Sequence, residues 1–309
     1  MLNSSTCYTN ASEITSSKTT EHVKLALALL TVASFGFFLY IVALMLSVFL
    51  SIPHIRENTR YVFFSHMLMN DTSYIALGIT LMIMSIYCVP IPGPICFVLV
   101  TMGSVTFKTT SYNLAAMAIE RYVAICLPLH HGHLCTVQRA SWAIALMWLL
   151  ALIPSAVDLS LVLSSSISLS SLKVICSHSN MVINPMQDTV RSIIRTIGYS
   201  SVGVIILCTY VRIILVAHKI SVGSSLASQA GKTVMLHAFQ LLLCMADFLT
   251  NLPVTNQNGQ SLPLVHFLLY SCVPRFLSPL IYGLRDETLR SNVKQTVKRL
   301  FIWKGLYQR

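Results

Sequence analysis

The sequence predicts an all-α membrane protein: a seven-transmembrane helix bundle with a short amphipathic eighth helix on the cytoplasmic side. Three observations predict it. Of 309 residues, 55% are hydrophobic and only 10% are charged, whereas a soluble domain carries about 25% charged residues to keep its surface wet. Long unbroken apolar runs recur along the chain, and about 20 such residues cross the roughly 30 Å of a bilayer core. The net charge of +11 comes from Lys and Arg that flank these runs or follow the last one, as in cytoplasmic loops.

These observations exclude a soluble enzyme, a disordered chain and a secreted disulfide scaffold. A membrane β-barrel would need alternating segments of about ten residues, which the long apolar runs are not. No basic stripe interleaved with aromatics occurs, so nucleic acid is not an expected partner.

Residues 1–22 form a polar tail rich in Ser and Thr, without the apolar core of a signal peptide. Asn3-Ser4-Ser5 and Asn10-Ala11-Ser12 are glycosylation sequons. The membrane domain, 23–284, holds seven apolar segments at 23–50, 60–88, 95–127, 139–163, 190–218, 232–254 and 262–284. Arg56 and Arg60, then Arg139, then Lys219 and Lys232 mark alternate joints, while the loops 89–94 and 255–261 hold no Lys or Arg. The positive-inside rule therefore predicts a multi-pass plasma-membrane protein with an extracellular N-terminus and a cytoplasmic C-terminus. The sequons at Asn3 and Asn10 fall on the compatible side. Asn70-Asp71-Thr72 also fits a sequon but lies inside an apolar segment. Residues 285–309 are a basic tail in which Leu289, Val293, Val297 and Leu300 recur at helical spacing. That pattern predicts an amphipathic helix lying on membrane lipid. No Cys follows Cys272 to carry a palmitoyl anchor there.

Most of the nine cysteines lie in apolar segments and read as small buried residues. Cys96, at the start of the third segment, and Cys176, in the loop 164–189, instead face the oxidising side. A bond between them would tie that loop over the bundle. No metal-ligand spacing occurs: His130, His131 and His133 lie close together without matching ligands, so no metal is expected.

Charges within the membrane segments need partners. Asp71 lies 11 residues from Arg60, and Arg275 lies 10 residues from Arg285. Both therefore sit roughly 15 Å deep, and an Asp71–Arg275 ion pair is expected. Lys108 and Asp247 match at roughly 20 and 22 Å and form a second expected pair.

Residues 117–129, MAIERYVAICLPL, resemble a signature of vertebrate odorant receptors, a branch of the rhodopsin-like G-protein-coupled receptors. PLIYGLR at 279–285, Lys232 and His237 at the start of the sixth segment, and Tyr210 near the end of the fifth are similar to the same family. Asn70-Asp71 and Arg275 resemble a fish-type group within it. The resemblance implies that Arg121, in Glu120-Arg121-Tyr122, holds the inactive state through Glu120. It would meet the G protein once the sixth helix swings out. It implies a Cys96–Cys176 disulfide, a carboxylate role for Asp71, and a switch at Pro279 and Tyr282. Ser278 stands where most such receptors have Asn, the first segment has no Asn, and Arg275 adds a cation beside Asp71. Bound sodium is therefore not expected, and no cofactor is.

The function this implies is a receptor, not an enzyme. A small-molecule odorant binds in the outer half of the bundle and activates a heterotrimeric G protein, of the stimulatory class acting through cyclic AMP. Depth and helix face nominate Gly103, Ser104, Phe107 and Lys108, Gly198 and Tyr199, and Asp247, Phe248 and Asn251 for the pocket. Each of these serves equally well as ordinary packing. The rival readings are a receptor for an amine, peptide or pheromone, a small-solute transporter, and a membrane enzyme. The transporter reading is disfavoured by the lack of an inverted repeat. The enzyme reading is disfavoured because the intramembrane charges look like opposite-sign pairs.

Overall fold

The computed structural model describes residues 18–87, 89–164, 173–176, 185–220, 267–277, 279, 290–296 and 298. Among them the elements run α1 (Lys18–Ser51), α2 (Pro53–Arg56), α3 (Thr59–Ile86), β1 (Pro90–Pro92), α4 (Gly93–Cys126), α5 (Pro128–Leu134), α6 (Val137–Ser164), β2 (Lys173–Ile175) and α7 (Pro185–Ile220). An apolar helix α8 (Phe267–Leu277) and a helical stretch at 290–296 follow. The sixth predicted segment, 232–254, lies outside the described residues, as do both sequons, Asp247, Phe248, Asn251 and Tyr282.

Four of these helices are long and apolar enough to cross a membrane, over Ala28–Ser51, Thr59–Ser85, Val137–Ser164 and Thr189–Val216. Their outward faces carry Leu29, Phe37, Trp142, Leu163 and Leu207, all well exposed. An apolar surface of this extent is stable against lipid and not against water. The helices extend past the apolar runs at several ends. α1 starts in the polar stretch at Lys18, and α7 starts at Pro185, where a missing N–H and a fixed φ suit a first turn.

α4 is built differently. Its 34 residues span about 50 Å, and they bury Thr106, Thr109, Thr110, Ser111, Asn113 and Glu120 beside apolar side chains. A helix that α3, α6 and α7 pack around need not present an apolar coat to lipid. Polar groups ride inside it because neighbours satisfy them. Asn70 Nδ2 donates to the Thr106 carbonyl and to Thr110 Oγ1, both at 2.8 Å. Asn113 Nδ2 donates to the Phe63 carbonyl at 2.9 Å. Trp148 Nε1 donates to His66 Nε2 at 3.0 Å and fixes α6 to α3.

One end of the bundle is closed by a small antiparallel sheet that the sequence did not foretell. β1 pairs with β2 in the register Pro90↔Ile175, Ile91↔Val174 and Pro92↔Lys173. The Cys96–Cys176 disulfide sits directly beside it, both cysteines fully buried against Ile91, Phe97 and Val100. A covalent tie and a strand pair together hold the 173–176 segment to the start of α4. At the opposite end, α2 and α5 are single short helices opened by Pro53 and Pro128.

Candidate functional site

Three polar clusters lie along α4, each at its own level. The deepest centres on Asp71, 0% exposed, and Arg275, 1% exposed. Arg275 Nε stands 3.6 Å from Asp71 Oδ1, an ion pair by distance and not a hydrogen bond. Arg275 Nη1 donates to the Ser271 carbonyl at 2.7 Å, one turn back in α8. That turn belongs to a π-helical stretch, Phe267–Cys272. Thr110 acts as a relay: its hydroxyl accepts from Asn70 and donates to Asp71 Oδ1 at 2.8 Å. The guanidinium lies 3.8 Å from the centre of the Tyr74 ring and 5.1 Å from that of Phe107, within cation–π range. One cation thus ties α3, α4 and α8 together.

The second cluster is at the Arg121 end. Glu120 is 6% exposed, and Arg121 Nε lies 3.6 Å from its Oε2. His131, on α5, places Nε2 3.3 Å from Oε1. Arg60, at the start of α3, adds its field to the same carboxylate. Sequence reading left His131 in a loop without a task. Its signal is positional, because Leu127-Pro128 starts a helix that brings His131 back to Glu120. Thr59 Oγ1 donates to the Cys135 carbonyl at 2.7 Å and fixes the far end of that turn. Burial and the Glu120 charge push the Cys135 thiol up. Tyr122 packs against the core, and Tyr210 and Pro279 are buried.

The third cluster lies toward the disulfide end. Lys108 stands within the fields of Asp158, Arg191 and Arg195. Arg191 Nε donates to Asp158 Oδ1 at 2.6 Å. Sequence reading matched Lys108 with Asp247 by depth and missed these three residues, which it had absorbed into apolar segments. The signal was available: Arg191, Arg195, Tyr199, Val202, Ile206 and Tyr210 recur at three- and four-residue spacing, one face of a helix. Beneath this cluster the Phe107 ring meets Tyr199 edge-on at 5.8 Å and Tyr74 at 5.6 Å. Gly198 faces the Tyr112 hydroxyl, and nothing crowds Gly103. Of the pocket candidates, Phe107, Lys108, Gly198 and Tyr199 therefore come together at the α4–α7 seam.

A buried carboxylate–guanidinium tie at mid-depth, an acidic-Arg-Tyr triplet at the end of the central helix and a disulfide at its start make one recognisable frame. The family model for the 7 transmembrane receptor (rhodopsin family) matches residues 43–282. The chain belongs to the rhodopsin family of seven-transmembrane receptors. Curated relatives are odorant and olfactory receptors. Odorant receptor 131-2 of Danio rerio is 28% identical over 271 residues, 84% of this chain and 82% of the relative. Olfactory receptor 6N1 of Homo sapiens is 29% identical over 209 residues, 63% of this chain and 64% of the relative. Olfactory receptor 56A5 of Homo sapiens is 26% identical over 225 residues, 67% and 69% of the two chains. The protein is thus a multi-pass membrane receptor and not an enzyme.

Proposed function

We propose that this receptor binds a small-molecule odorant in the disulfide-end half of a seven-helix bundle and activates a heterotrimeric G protein, of the stimulatory class that raises cyclic AMP. The disulfide end faces outward, and the Arg121 end and the C-terminal tail face the cytoplasm, following the distribution of Lys and Arg. The observation that carries the coupling is the Glu120 cluster. Arg121 is held by a neutralising carboxylate at the tip of the central helix, yet one-fifth of its side chain is already exposed. Such a pair is strong enough to bias a resting state and weak enough for a partner to open. An apolar contact point stands next to it: Leu129, on α5, is 94% exposed and suits a protein partner better than water. Ligand and coupling communicate by shifting one equilibrium, since α4 carries both clusters.

The test is cyclic AMP in cells expressing the receptor, challenged with a panel of water-soluble odorants. A ligand-dependent rise is expected, lost in Arg121→Ala at matched surface expression. A ligand that binds without any Arg121-dependent signal through any G protein would overturn the coupling.

A further inference from the structure

The helical stretch at 290–296, with Lys298 helical just beyond it, divides its charge unevenly around its axis. At about 100° per residue, Arg290, Lys294 and Lys298 fall within an arc of about 80°. Steps of four residues set them about 6 Å apart along the axis. All three are exposed. Val293 packs against the bundle core, and Asn292 and Thr296, on the same side, are half-buried. The stretch therefore turns a neutral side to the bundle and a single row of cations away from it. In the sequence, the apolar stripe of Leu289, Val293, Val297 and Leu300 borders that row on one side.

The charge is not cancelled within the tail. Residues 285–309 hold seven Lys and Arg against two acids, Asp286 and Glu287. Even with both acids paired, five positive charges remain. The other acids at this end have claims of their own: Glu57 follows Arg56 directly, and Glu120 is met by Arg121 and His131. A cationic row beside an apolar stripe matches the edge of a bilayer. The apolar side chains enter the acyl boundary, and long basic side chains reach the headgroup plane from there. A leaflet that carries acidic lipid attracts such a segment. Because the cations form an open row, they read the charge of a surface and not the shape of one headgroup.

We propose that Arg290, Lys294 and Lys298 dock this helix on acidic phospholipid, with phosphatidylserine as the representative lipid, and that the contact keeps Val293 seated on the core. The proposal rests on the cytoplasmic placement of the tail given above. It requires neither a bound odorant nor a G protein.

The experiment places the full-length receptor in lipid nanodiscs of phosphatidylcholine, alone or with about one-third phosphatidylserine. Amide hydrogen exchange across 290–298 is the readout. Exchange should be slower in the acidic discs by about threefold or more, and the difference should vanish near 1 M salt, where screening shortens to about 3 Å. Lys294→Gln with Lys298→Gln should abolish the difference, and Lys294→Arg with Lys298→Arg should keep it. Phosphatidylinositol bisphosphate at the same total charge should protect equally, and inorganic phosphate added to neutral discs should not protect. Equal exchange in neutral and acidic discs overturns the proposal, which is also the result expected if an acidic protein is the true occupant. So does a difference that survives the two Gln changes, protection by inositol lipid that phosphatidylserine cannot match at equal charge, or protection by inorganic phosphate. The wild-type pair of discs decides even if a variant fails to fold. A C-terminal epitope should stain only in permeabilised cells; staining of intact cells would break the placement of the tail alone. Acidic-lipid protection in a receptor that never signals would break the coupling reading alone.

Discussion

The carboxylates of Asp71 and Glu120 lie on adjoining helices of one bundle, and each is met by an arginine at 3.6 Å. Their surroundings differ. Asp71 and Arg275 have side chains 0% and 2% exposed, and the pair is enclosed by Thr110, Ser271, Tyr74 and Phe107. Around Glu120 the partner side chains are more open: Arg121 is 20% and His131 32% exposed. The same chemistry therefore does two jobs. Where both charges are sealed, loss of one leaves the other stranded in a medium that cannot solvate it. Where the partners reach water, either can leave the carboxylate and be solvated. The first pair is a fixed strut, and in the function proposed above the second is the latch.

The largest expected effect follows from sealing. Removing one partner of a buried pair costs about 3–5 kcal/mol, a large part of a protein's net stability. Asp71→Ala and Arg275→Ala should each reduce folded receptor at the surface several-fold, read by surface immunostaining and by the melting temperature of solubilised protein. The double variant Asp71→Leu with Arg275→Met should be less damaging than either single change, because no charge is left stranded. Arg275→Lys should rescue only in part, since a compact ammonium cannot stack flat on Tyr74 while reaching Ser271. Wild-type stability in both single variants would remove the distinction between strut and latch.

A smaller effect tests whether α8 is held by shape as well as by charge. A Cβ placed on Gly78 would stand 2.5 Å from two carbons of the Phe267 ring, so Gly78→Ala forces that ring to move. Overpacking of this kind costs about 1–3 kcal/mol. Gly78→Ala should lower the melting temperature less than Arg275→Ala does, and Phe267→Leu in the same chain should recover most of the loss. No change in melting would mean that the strut alone positions α8.

Much of this contrast was legible in the residues. Counting from the Arg-marked ends placed Asp71 and Arg275 at one depth, because helical rise is nearly constant. The boundaries of the second to fifth segments fall within five residues of α3, α4, α6 and α7 for the same reason that apolar runs must match bilayer thickness. Depth, however, says nothing about rotation about the helix axis. Lys108 was matched to Asp247, which lies outside the described residues, while Asp158, Arg191 and Arg195, whose fields reach Lys108, went unnoticed because depth alone does not place them on the same side of α4. His131 escaped for a different reason: its contact depends on how Pro128 starts α5 after α4 ends, which no periodicity encodes. The β1–β2 pair escaped because three-residue strands containing two prolines, as in Pro90-Ile91-Pro92, carry no strand signal.

The smallest effect on stability, and the most informative about the latch, is at His131. Its ring is one-third exposed and shares Glu120 with Arg121, so its loss leaves the carboxylate still paired. Partly exposed contacts of this kind contribute about 1 kcal/mol or less, and His131→Ala should hardly move the melting temperature. It should nevertheless raise ligand-independent signalling, because the resting state loses one of the two side chains holding Glu120 in place. Glu120→Gln should raise it further, since Arg121 and His131 then lose the carboxylate together. The two changes combined should signal no more than Glu120→Gln alone, because His131 acts only through that carboxylate. An additive rise would place His131 in direct contact with the partner, and unchanged basal signalling in all three would show that this cluster is a second strut.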